Sequence, residues 1–142
     1  MLKKSGFTLI ELLIVVAIIG ILASLILASV ASARFKARDV GIQASLFEVR
    51  NAAEMSYSVD GNYEAVCDDV NHILSNSGEF KKVGDAVRNY NGSQDITCYE
   101  SSDKQAYAVS SPLIYRAGKH WCVDSVGISK EESNPITESV CP

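Results

Sequence analysis

The chain has 142 residues, of which 47% are hydrophobic, and a formal net charge of −4. This length leaves room for one modest domain, and the acidic balance argues against phosphate binding as the main function of the chain and gives no support to nucleic acid as a partner. The hydrophobic residues are unevenly spread, because residues 7–33 carry a single charged side chain, that of Glu11. The composition therefore indicates an apolar membrane segment followed by a small soluble domain.

The first predicted element is an apolar helix. Residues 12–33 are 22 consecutive residues without a charge. A helix of that length spans about 33 Å, which is enough to cross the hydrocarbon core of a bilayer. A secretory signal peptide is one alternative, since Lys3 and Lys4 make a basic start and small residues end the run, but its apolar core is usually shorter. A plain single-pass anchor is another, and the basic residues on both sides leave its direction open.

The start of the chain carries a recognisable motif. Residues 3–23 read KKSGFTLIELLIVVAIIGILA, which resembles the signature of type IV pilins and type II secretion pseudopilins. That signature has a short basic leader, a glycine before the cleavage site, a phenylalanine after it and an acid shortly inside the mature chain. The resemblance implies that Gly6 precedes the scissile bond, that Phe7 becomes the methylated N-terminus, and that Glu11 is the acid used in assembly.

The same resemblance implies an organisation and a role for the chain. Residues 1–6 are expected to be a cleaved leader, residues 7–33 a transmembrane and filament-core helix, and residues 34–142 the rest of the helix with a globular head. The implied role is structural, without enzymatic activity or a cofactor. The implied partners are other pilin subunits in a helical filament, a prepilin peptidase, the pilus assembly machinery, and membrane lipid before assembly. The implied location is the inner membrane, with the N-terminus inside, and then an extracellular filament.

Two other roles stay open. One is a pseudopilin of a type II secretion system, and the other is a minor subunit whose head binds a surface, a partner or DNA. The apolar helix is compatible with each of them.

Glu11 lies where a carboxylate costs about 2 kcal/mol or more unless it finds a partner. In the pilin family that partner is the amine of Phe7 in a neighbouring subunit, which exists only after cleavage. The alternative is an interfacial acid that reaches the lipid headgroups. Small residues that recur every four positions would let helix backbones approach closely in a filament core; they are Gly20, Ser24, Ala28 and Ser32.

Beyond residue 33 the helical pattern becomes amphipathic. Apolar residues recur at steps of three and four along one face, at Ile42, Leu46, Val49, Ala53 and Tyr57. The turn formers at residues 60–62 then predict a stop. One helix is therefore predicted from about residue 7 to about residue 59, with its second half packed against a sheet.

The remaining elements are shorter. A short helix is predicted at residues 68–74, and the turn-rich stretches at residues 75–78 and 89–93 predict a connector. Three antiparallel strands are predicted at residues 96–100, 105–113 and 119–126, with turns at residues 101–103 and 117–118. The predicted fold class is α+β, with a long N-terminal helix packed against a small antiparallel sheet, as the pilin resemblance also implies.

Four cysteines lie beyond the apolar segment, without a CxxC pair: Cys67, Cys98, Cys122 and Cys141. This spacing favours disulfides over zinc, and it leaves all three connectivities open. The pilin resemblance favours Cys122 with Cys141, as a C-terminal disulfide-closed loop, and leaves Cys67 with Cys98. Disulfides would place the head outside the cytoplasm.

No catalytic or metal-binding pattern is apparent. His72 and His120 have no second ligand at a suitable spacing, and the phosphate-loop and hydrolase motifs are absent from the sequence. Secretion-system relatives can bind calcium in the head, and a weak resemblance would use oxygens of Asp124, Glu131 and Glu132. Solvated acids are the simpler interpretation.

Overall fold

The structure is a computed structural model that describes residues 6–142, apart from the side chain of Ala28. Residues 1–5, which hold most of the expected leader, lie outside the described residues. The chain divides into two compact units, Met1–Arg34 and Phe35–Pro142. Helix α1 spans Leu9–Asp60 and so belongs to both. It begins and ends within two residues of the predicted bounds. Gly61 ends the helix, with a φ of 70° and an N–H that donates to the carbonyl of Tyr57.

The second unit contains one antiparallel sheet of six strands whose spatial order follows the chain. The predicted α+β fold class is confirmed. Each of the three predicted strands is present, and the turns between them fall at the predicted places. The elements after α1 are β1 (Cys67–Asp68), β2 (Ile73–Leu74), α2 (Gly78–Asn91), β3 (Thr97–Glu100), β4 (Tyr107–Pro112), β5 (His120–Asp124) and β6 (Ser129–Glu132).

The helix predicted at residues 68–74 is wrong, because this stretch forms β1, a turn and β2. The carboxylate of Asp68 accepts the backbone N–H groups of Val70 and Asn71, at 3.0 and 3.2 Å. A short acidic side chain that bonds the backbone two and three residues ahead favours a turn over a helix. The turn closes at His72, whose φ of 53° lies in the left-handed region.

The connector predicted before β3 is in fact largely helix α2. Its C-terminus is closed by Gly92, which has a φ of 76° and donates to the carbonyl of Arg88. Within the helix, Gly84 is buried against β2, and a Cβ on it would lie 3.1 Å from a methyl group of Leu74. The glycine is therefore a close packing contact rather than a break.

The core lies between α1, α2 and one face of the sheet. The helical stripe predicted on α1 is buried at Ile42, Leu46, Val49 and Ala53, and Tyr57 packs partly buried against the same core. The sheet contributes Tyr107, Val109 and Val123. The intervening residues Ala108 and Cys122 face the other side, where Ile136 and Cys141 of the C-terminal tail cover them.

Candidate functional site

The start of α1 is capped by two side chains, those of Thr8 and Glu11, which form hydrogen bonds with each other and with the backbone. Thr8 donates its N–H and its hydroxyl to Oε2 of Glu11, at 2.8 and 2.7 Å, and the N–H of Glu11 donates to the Thr8 hydroxyl at 3.3 Å. This is a capping box, which pairs two otherwise unsatisfied N–H groups of a helix start. The structure thus brings Glu11 together with Thr8 of its own chain, a partner that the sequence analysis did not consider although the T-x-x-E spacing signals it.

The residues expected at the processing site come just before this cap. Gly6 and Phe7 have no regular secondary structure, and the side chain of Phe7 is 80% exposed. A peptidase needs an accessible bond outside regular secondary structure. The geometry is therefore compatible with processing between these two residues, which stays a prediction.

The first half of α1 presents its apolar side chains outward. Among the described residues α1 is the one helix long and apolar enough to cross a membrane, judged by length and composition, and none of its most apolar window is buried. Apart from its chain neighbours and the nearby backbone of its own helix, no described heavy atom lies within 4 Å of the place where a Cβ on Gly20 would be. The hydroxyl of Ser24 donates to the carbonyl of Ile21 at 2.8 Å, so its polar group is satisfied within the helix. Ala28 lies in the same helix, but its side chain is outside the described part of the structure.

The cysteines form two disulfides, Cys67 with Cys98 and Cys122 with Cys141. This is the pairing that the pilin resemblance favoured. The first bond joins β1 to β3, and the second ties the C-terminal tail to β5. One edge of the sheet and the C-terminal tail are therefore held covalently.

The three acids considered for calcium do not converge on a common site. Asp124 is buried and accepts the backbone N–H groups of Ile128 and Cys141, at 2.8 and 3.1 Å. Glu131 forms an ion pair with Arg116, and Glu132 forms one with Lys130. Within residues 6–142 no group of three or more His, Cys, Asp or Glu side chains could hold a metal ion.

The two histidines are also separate. His72 stacks on Tyr99, with ring centroids 4.4 Å apart. Partial burial lowers the pKa of His120 and so favours its neutral form.

Sequence reasoning missed two side chains of α1 that hold the loops of the sheet. The buried carboxylate of Asp39 accepts three backbone N–H groups of the β4–β5 loop, those of Ile114, Tyr115 and Arg116, at 2.7, 3.0 and 3.3 Å. Nε of Arg50 donates to the carbonyl of Asp124 at 3.1 Å, at the turn after β5. We call these contacts the Asp39 clamp and the Arg50 clamp.

Comparison with known proteins agrees with the motif. Residues 1–27 match the model of the prokaryotic N-terminal methylation motif. The chain is 45% identical over 62 residues to the type IV wide pilus major component PilA4 of Thermus thermophilus. That match covers 44% of this chain and 47% of the relative, so the chain spans about half the length of the curated relative. No solved structure matches the chain. The chain is therefore similar to type IV pilins in its methylation motif and over part of its length.

Proposed function

We propose that the chain is a structural subunit of a type IV pilus or of a related pseudopilus. Residues 1–6 are a leader that a prepilin peptidase removes, residues 7–33 are first a membrane anchor and then part of the filament core, and residues 34–142 carry the surface head. Pilins are structural proteins rather than enzymes, and we infer the same for this chain. The observation that carries the proposal is the methylation motif at the start of a helix whose apolar side chains are exposed.

The exposed apolar surface supports two successive environments for the helix. Burial of each Leu or Ile side chain is favourable by about 1.5 to 3 kcal/mol relative to water. A run of such residues therefore requires lipid or a protein interior. Lipid surrounds these side chains before assembly, and the apolar helices of neighbouring subunits pack against them afterwards.

The capping box supports a specific way for Glu11 to act in assembly. Both bonds from Thr8 go to Oε2, and a carboxylate has acceptor sites on each of its two oxygens. The Phe7 amine of an incoming subunit can therefore bind Oε1 without breaking the cap. Cleavage after Gly6 also preserves the cap, because the N–H of Thr8 belongs to the Phe7–Thr8 peptide bond.

The disulfides support the direction of insertion. Disulfides persist in oxidising compartments, and the two bonds therefore favour a head outside the cytoplasm and an N-terminus inside. The pilus assembly machinery then extracts processed subunits from the membrane into the filament. Because the matched relative is described as a major component, we favour a repeating subunit over a minor binding subunit.

Electron microscopy of sheared surface filaments, combined with mass spectrometry of their protein, tests this function. The mature chain should be the main protein of the preparation, and its intact mass should be that of a chain that begins at a methylated Phe7. An N-terminus after Ala33 would instead indicate a secretory signal peptide. Filaments that lack the chain would indicate a minor subunit or a secretion pseudopilin.

A further inference from the structure

The second unit carries a groove of about 450 Å³ between the first soluble turns of α1 and the β4–β5 loop. Its floor on the loop side is fixed by the Asp39 clamp. Its lining residues are Lys36, Asp39, Val40, Gln43, Tyr115 and Arg116. No part of the proposed filament function accounts for this combination of two cations and a tyrosine.

The available charge in the groove is positive. The Asp39 carboxylate is buried and already accepts three backbone N–H groups, so it offers little to a ligand. Nζ of Lys36 lies 5.0 Å from the centroid of the Tyr115 ring, which is 46% exposed. Arg116 is 56% exposed and pairs through Nη1 with Glu131. A guanidinium has five N–H donors, so the other side of this one can still bind an anion.

The groove also lies close to the end of the uncharged segment. Lys36 follows Ala33, the last residue of that segment, by three positions. Three residues reach at most about 11 Å even when fully extended. The headgroup layers add about 10 to 15 Å in total to the hydrocarbon thickness of a bilayer. When the uncharged segment spans a membrane, chain length alone therefore keeps Lys36 near the headgroups, and the Asp39 clamp keeps the β4–β5 loop beside it.

We propose that this groove binds the headgroup of an anionic phospholipid while the subunit resides in the membrane. The phosphate lies between Nζ of Lys36 and the guanidinium of Arg116, and the Tyr115 ring lies at the interface. Basic and aromatic side chains together are the composition of interfacial anchors. The inference rests on the proposed membrane insertion, and it adds a second, lipid-specific contact through the head.

Hydrogen exchange of the full chain in lipid nanodiscs tests the proposal. We expect the amides of residues 113–119 to exchange about fivefold more slowly in nanodiscs that contain phosphatidylglycerol than in nanodiscs of phosphatidylcholine alone. A factor of about five corresponds to the attraction of one basic residue to an anionic surface. The Lys36→Gln/Arg116→Gln variant should lose this difference. The matched control is Lys81→Gln/Lys82→Gln, which removes the same charge from the exposed surface of α2 and should keep the difference.

Two further measurements separate the possible failures. Flotation of the full chain with phosphatidylcholine vesicles tests insertion itself, and a chain that does not float contradicts both the membrane anchor and the groove. A chain that floats but exchanges equally in the two lipids contradicts the groove alone. Inorganic phosphate added to phosphatidylcholine nanodiscs should leave the exchange unchanged. If phosphate slows it as much as phosphatidylglycerol does, the groove is a site for the free ion and the lipid assignment is wrong.

Discussion

Thr8 donates both its N–H and its hydroxyl to one carboxylate oxygen of Glu11, so this acid is already oriented at the start of its own helix. An oriented carboxylate loses little side-chain freedom when a second donor arrives, and less free energy is then spent on ordering it. The cap therefore orients the acid for the proposed intersubunit bond.

The first prediction concerns Glu11. The Glu11→Ala and Glu11→Gln variants should be inserted and processed normally but should assemble few filaments, because the incoming Phe7 amine is left without a charged partner in an apolar core. Glu11→Gln keeps the size and some of the hydrogen bonding, so it isolates the charge. Filament number and length in cells without the native copy are the measurement. Normal filaments from both variants would leave Glu11 only the role of a helix cap.

The second prediction concerns the Asp39 clamp. Asp39→Ala leaves the N–H groups of Ile114, Tyr115 and Arg116 without their acceptor, and we expect it to lower the free energy of unfolding by about 2 to 3 kcal/mol. Denaturant unfolding of the detergent-solubilised chain, followed by near-UV circular dichroism, measures this. The exposed Asp60→Ala substitution at the end of α1 is the control and should change it by no more than about 0.5 kcal/mol. Equal effects of the two substitutions would contradict the clamp.

The third prediction concerns the disulfides. The two bonds join residues 31 and 19 positions apart, and loops of that size correspond to about 3 to 4 kcal/mol each in the chain-entropy account. Replacing either pair by serine should lower the unfolding midpoint of the head, while the far-UV signal of the apolar half of α1 persists in detergent. Alkylation of all four cysteines in native, unreduced filaments would contradict both bonds.

The fourth prediction concerns alkaline pH. Burial, and then the hydrogen bond to Glu54, raise the pKa of Tyr63 to about 12 from an ordinary value of 10.0. Between these two values the folded chain holds a proton that the unfolded chain has lost, so stability falls as pH rises from 10 towards 12. The pKa of Lys104 is raised to about 12 by its contacts with Asp69 and Glu100, which adds a loss of the same sign.

Denaturant unfolding at several pH values measures this loss. Tyr63→Phe removes the titrating hydroxyl and should reduce the loss of unfolding free energy between pH 10 and 12 by about 2 kcal/mol. Tyr115→Phe, at an exposed site, should not reduce this loss. A decline that is the same in both variants would exclude Tyr63 as its source.

The long elements could be predicted from the sequence because their burial is periodic. Ile42, Leu46 and Val49 fall on one helical face whatever lies against it, and Tyr107 and Val109 fall on one face of a strand. Hydrophobic periodicity is a property of the element itself, so no knowledge of the tertiary partner was needed.

The shorter elements could not be predicted in this way, because distant or local polar contacts decide them. Helix α2 contains Gly84, which lowers helix propensity, and only the tertiary structure shows that it packs closely against Leu74. Strand β6 is polar and charged, as suits a sheet edge, and it therefore lacks the apolar alternation of a predicted strand. The Asp39 clamp joins residues 75 to 77 positions apart, and no local pattern indicates such a contact.

The two disulfides also divide the head topologically. A protease cut at residues 68–97 or 123–140 leaves the fragments joined, because each of these stretches is closed by its own bond. Between Cys67 and Cys141, only a cut at residues 99–121 separates the subunit into two polypeptides. That stretch contains β4 and the turns on either side of it. A subunit that is nicked between Cys67 and Cys141 should therefore run at full length on a nonreducing gel unless the protease has cut within residues 99–121.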